Sequence, residues 1–145
     1  MKTKKIKVKR ILISVIAVAC ALSAITAISA SATTYQWTHT VSLATNPGAT
    51  TSISTSMGGT GKMAENFAGY PTIFDGYSTS QNKARAVFES TGKSYGWKSF
   101  TLTKNSPAVT AITYGTSMPS GAYYVQYQNV GNGGFRDSAT LLRTY

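Results

Sequence analysis

The chain holds one cysteine (Cys20), one histidine (His39) and four acidic residues (Glu65, Asp75, Glu89 and Asp137). Each scarcity closes off a class of chemistry. With no cysteine after residue 20, the body of the chain has no disulfide to draw on and must be held by core burial alone. One histidine, and no cluster of Cys, Asp or Glu at ligand spacing, leaves no metal site to expect. No motif calls for a cofactor either. A Ser/His/acid triad would have to be built on His39, and the chain contains no nucleophile elbow. The four carboxylates share no motif that would set two of them across a glycosidase cleft. Two Gly-Lys sites, Gly61-Lys62 and Thr91-Gly92-Lys93-Ser94, fail as phosphate loops. Ser56 and Val87 stand where the first glycine of G-x-x-x-x-G-K-[ST] belongs, and both sites read as turns. The composition therefore points away from an enzyme, and a small secreted hydrolase ranks last among the functions it allows.

Charge is spread unevenly. Lys2, Lys4, Lys5, Lys7, Lys9 and Arg10 precede an uncharged stretch, Ile11–Ala32, that is richest in aliphatic residues over Ile11–Leu22 and ends in Ala30-Ser31-Ala32. A basic flank, an apolar segment and a small-x-small end are the marks of a Sec-type signal peptide. They predict a leader over residues 1–32, read by signal peptidase at Ala30 and Ala32. The competing reading is an uncleaved anchor, because about 18–20 apolar residues can span a bilayer. Ser23, Thr26 and Ser29 dilute the second half of this one. Cys20 follows Ala17-Val18-Ala19 and precedes further apolar residues, so it reads as filler in the leader and not as a lipid attachment site. Either way the body, residues 33–145, is expected outside the membrane: secreted, loosely surface-associated at most, and without a permanent anchor after cleavage.

Removing the leader removes six of the fourteen Lys and Arg residues and takes the net charge from +10 to +4. The eight cations that remain are scattered, which argues against a nucleic-acid partner. A modest positive surplus suits an anionic cell-wall polymer, glycan or lipid surface.

What the body does have is Ser, Thr, Gly and sixteen aromatic residues, a composition that favours strand over helix. Turn signals recur about every ten residues. Strands are expected over Tyr35–Thr45, with Trp37, Val41 and Leu43 sharing a face, and over Thr50–Met57. Asn46-Pro47-Gly48 reads as a tight turn between them. Met63–Gly69 reads as a short helical turn and Tyr70–Tyr77 as a strand or structured loop. Later strands are expected over Lys83–Ser90, Tyr95–Thr103, Pro107–Tyr114, Ala122–Val130 and Ser138–Tyr145. Six to eight short antiparallel strands in one domain make a β-sandwich, with Ig-like and jelly-roll topologies both open.

Aromatic residues carry the one lead to a ligand. Secreted sandwiches bind sugars by stacking exposed rings on pyranose faces with amides beside them. Tyr95 and Trp97, together with Tyr124, Gln126 and Gln128 on the polar parity of their strand, are the candidate binding residues, although burial in the core competes for each aromatic. The format of a cleaved leader followed by a small, basic, aromatic-rich β body resembles that of Sec-exported bacteriocins of the lactococcin 972 type. That resemblance implies an antibacterial or membrane-active protein as the alternative function and transfers no residue. The favoured expectation is a non-enzymatic binding or structural module at the bacterial cell envelope.

Overall fold

A computed structural model describes residues 32–107 and 110–145. The expected leader, with Ala30, lies outside these residues; Ala32 is the first of them and is exposed. Ten strands follow: β1 (Thr34–Leu43), β2 (Thr50–Met57), β3 (Gly61–Phe67), β4 (Thr72–Ile73), β5 (Thr79–Phe88), β6 (Lys93–Ser94), β7 (Lys98–Thr103), β8 (Thr110–Met118), β9 (Gly121–Asn129) and β10 (Phe135–Thr144). They form two antiparallel sheets. The first runs β1-β10-β3-β8, with β4 also on β10; the second runs β2-β9-β5-β6, with β7 also on β5.

The pairing is nested. β1 joins β10, β2 joins β9, β3 joins β8 and β5 joins β7, as though one long hairpin had been rolled so that its strands alternate between sheets. This is the jelly-roll arrangement, and it settles the topology that composition left open. The turn at Asn46-Pro47-Gly48 behaves as its residues dictate: Ala49 N–H donates to the Asn46 carbonyl at 3.1 Å, and Gly48 takes φ +89°.

Period-two alternation delivers the core. Val41 and Leu43 of β1, Phe67 of β3, Phe135 and Leu141 of β10, Phe100 and Leu102 of β7, and Tyr123, Val125 and Tyr127 of β9 all turn inward and are buried. Phe67 stacks on Phe100 at 4.8 Å and meets Phe135 edge-on at 6.1 Å, which ties the two sheets together. Each such side chain contributes about 1.5–3 kcal/mol by leaving water. That sum replaces the absent disulfides.

Several expectations need correction: Lys93 and Ser94, expected in a turn, form β6, and the strand expected from Tyr95 begins at Lys98. Met63–Gly69 is no helical turn: Met63 to Phe67 belong to β3, an interior strand of the first sheet, and its inward parity is Met63, Glu65, Phe67. A glutamate at a core position hid the alternation. Gly61-Lys62, expected as a turn, opens that strand, and the break falls on Gly58–Thr60. The strand expected to end at Tyr114 continues as β8 to Met118, while Tyr70–Tyr77 contains only the two-residue β4.

A second acid also faces inward. Asp137 on β10 is 5 % exposed; its Oδ1 accepts the Ser138 N–H at 2.8 Å, and its Oδ2 has no partner among the described residues. Burial raises its pKa above the ordinary 3.8, against the opposing effect of the Ser138 hydrogen bond. The folded state therefore keeps the proton to higher pH than the unfolded chain, and ionisation costs stability as pH rises through the folded pKa. Asp137→Asn is expected to raise Tm at neutral pH, and the gain should vanish below about pH 4, where the acid is protonated in both states. Thermal unfolding of both proteins across pH checks the sign.

Candidate functional site

The same alternation that sends Tyr123, Val125 and Tyr127 inward leaves Tyr124, Gln126 and Gln128 on the outer face of the second sheet, partly buried. Pairing with β5 sets Val87 beside Tyr124, Arg85 beside Gln126 and Lys83 beside Gln128. On the other flank, β2 places Ser54, Ser52 and Thr50 in the same three rows. Trp97, in the segment between β6 and β7, joins this face. Lys83 Nζ lies 4.7 Å and the Arg85 guanidinium 4.5 Å from its ring centroid. Arg85 Nε donates to Gln126 Oε1 at 2.9 Å, so indole, guanidinium and amide form one chain of contacts.

Four of the five residues singled out from the sequence thus share one surface. Tyr95 does not. Gly96 takes φ +75°, a left-handed backbone that sends the aromatics on its two sides apart. Tyr95 packs on the core, 6.1 Å from the Tyr123 ring, with Lys93 Nζ 5.1 Å from its own centroid. The Trp97 ring is also no bare platform, because two cations already occupy it. Lys83 and Arg85 are the members of this face that sequence reading left out of the candidate set. Their shared parity on β5, two residues apart, was the signal for them.

A different cluster lies in the interior. Glu65 of β3 has no exposed surface. Its carboxylate accepts from Tyr114 Oη of β8 at 2.5 Å and from Tyr127 Oη of β9 at 2.6 Å, and His39 Nε2 of β1 approaches at 3.0 Å. His39 Nε2 is also 3.2 Å from Tyr127 Oη, and Trp37 stacks over the imidazole at 4.8 Å. The lone histidine and one acid therefore do meet, but the third group is tyrosine rather than serine. The His39 side chain is only 6 % exposed, which leaves the cluster closed to a substrate. Its physical role is to give a buried carboxylate three donors, one of them from the opposite sheet. Burial, and after it the Glu65 charge, push the hydroxyls of Tyr114 and Tyr127 well above the usual tyrosine range, so both remain neutral donors.

No family model matches the chain, and no curated protein matches it. Among solved structures, it is similar to the CBM36-1 domain of a multidomain xylanase from the hindgut metagenome of Trinervitermes trinervoides. The identity is 12 % and the TM-score 0.47, over 76 % of this chain and 95 % of that one. It is also similar to the infectious bursal disease virus VP2 subviral particle, with 9 % identity and a TM-score of 0.48, over 78 % of this chain and 32 % of that one.

Tyr127→Phe removes one of the three donors from the buried carboxylate and is expected to cost about 1–3 kcal/mol in denaturant unfolding. The raised tyrosines also set an alkaline limit. The unfolded chain releases their protons near pH 10 while the folded chain does not, so stability falls as pH climbs past 10. In Tyr114→Phe that fall should be shallower, as read from unfolding midpoints across alkaline pH.

Proposed function

We propose that the protein is an exported, non-catalytic binding module of the cell envelope, and that the outer face of its second sheet engages an anionic wall polymer. The observation that carries this reading is the Lys83–Trp97–Arg85 clamp set beside the Gln126, Gln128 and Tyr124 row. The indole holds both cations in place on this face, where each keeps N–H donors for a phosphate or carboxylate. Amides and a phenol alongside offer directional bonds to hydroxyl groups. None of the four acids stands in these rows. Glu65 and Asp137 are buried in the interior, so only Asp75 and Glu89 answer the body's eight cations at the surface. The surface is therefore more cationic than the net charge of the body suggests, and it suits a polyanion. The lysine-rich leader supports export.

Purified protein sedimented with isolated bacterial cell walls tests the reading. Binding is expected to persist in part at high salt. Trp97→Ala and the paired change Lys83→Gln with Arg85→Gln should each weaken it about tenfold, or roughly 1.4 kcal/mol, with thermal unfolding confirming that each variant still folds. Binding that salt abolishes and Trp97→Ala leaves unchanged would reduce the face to unspecific attraction. Leakage from anionic lipid vesicles without wall binding would favour membrane action instead.

A further inference from the structure

The edge of the sandwich carries a second, separate feature. β1 and β2 are edge strands of opposite sheets, and a shallow groove of about 330 Å³ opens between them, lined by Trp37, Ser54, Thr55, Ser56 and Arg143. Trp37 has the same inward parity as Val41 and Leu43, yet it is 39 % exposed where they are buried. Its ring is not loose. It stacks on His39, which Glu65 holds at 3.0 Å, so the interior polar cluster fixes an aromatic surface at the rim.

Arg143 forms the facing cation. Its Nη1 donates to the Ser56 carbonyl at 2.8 Å, which anchors the guanidinium to β2, and no carboxylate pairs with it among the described residues. One of five N–H donors is thus committed, and the fork geometry of the guanidinium matches a carboxylate or phosphate. Two further polar atoms in the wall, Thr55 Oγ1 and Arg143 Nε, are buried without a partner among the described residues. The Ser54 and Ser56 hydroxyls complete the lining.

We propose that this groove is a binding site for one acidic sugar unit, a pyranose ring bearing a single carboxylate or phosphate. Its anion sits on Arg143, its apolar face on Trp37 and its hydroxyls on the serines. The volume lies at the small end of ligand sites, which fits one ring and not a chain of several. An open, shallow groove with one cation predicts weak, millimolar affinity. Apart from Ser54, which also borders the Tyr124 row, the proposal stands on residues other than those of the outer face, and loss at Trp37 and Arg143 is separable from loss at Trp97, Lys83 and Arg85.

The test is amide and indole chemical-shift mapping of the purified protein during titration with sodium glucuronate, glucose 6-phosphate, neutral glucose and sodium acetate. Saturable shifts at the Trp37 indole N–H, Ser54–Ser56 and Arg143 are expected with the two acidic sugars. Glucose and acetate should each bind about tenfold more weakly or worse, and Arg143→Gln should weaken the acidic sugars by a similar factor. Should that variant not fold, the mapping on the unmodified protein decides alone. Shifts confined to Lys83, Arg85 and Gln126, no saturable shift at all, or equal binding of acetate would each overturn the proposal.

Discussion

A carboxylate with no exposed surface has to be answered by donors from its surroundings, and in this fold the Glu65 carboxylate governs how the interior is built. Its donors come from β1 and β8 on its own sheet and from β9 on the opposite one. Such a cluster gives little net stability, because the cost of taking the carboxylate out of water consumes most of what its donors return; removing one donor costs about 1–3 kcal/mol. The cluster therefore matters chiefly for register. A strand displaced by one residue turns its donor to the other face and strands the charge. The aromatic layer of Phe67, Phe100 and Phe135 supplies the bulk of the burial, while Glu65 constrains which alignment of that layer is allowed.

The nested topology raises the stakes of that register. β1 pairs with β10 along its full length, from Thr34 opposite Thr144 to Leu43 opposite Phe135, so the two ends of the body close on each other. The Thr33 and Tyr145 backbones exchange hydrogen bonds at 3.0 and 3.2 Å beyond the last pair. Contacts this distant in sequence repay their entropy only when the roll is nearly complete, which predicts slow, cooperative folding. Without disulfides, nothing covalent holds the ends together in the meantime.

Chemistry is divided between interior and surface. The histidine and two of the four acids are spent inside, where they are tied up with tyrosines or, for Asp137, left with one oxygen unpartnered among the described residues. The surface retains cations, hydroxyls, amides and rings, a set able to recognise charge and ring shape. Lys83 and Arg85 over Trp97 on one face, and Arg143 opposite Trp37 at one edge, are two local forms of that set.

Read alone, the sequence determined that the body is an all-β sandwich. Alternation in β7 and β9 groups Phe100 with Leu102, and Tyr123 with Val125 and Tyr127, on one face each, because a strand exposes successive side chains to opposite faces, and those are the faces that are buried. The opposite parity of β9 put Tyr124, Gln126 and Gln128 together. Tertiary structure alone decided the rest. It chose the jelly roll, since pairing between distant strands leaves no local trace. It made Met63–Phe67 a strand, since a glutamate on an inward parity looks polar until its donors from three other strands are in place. It separated Tyr95 from Trp97, because one left-handed glycine turns their shared segment over. It also brought His39 to Glu65 and Trp37 toward Arg143, because those meetings depend on how two sheets stack and not on spacing along the chain.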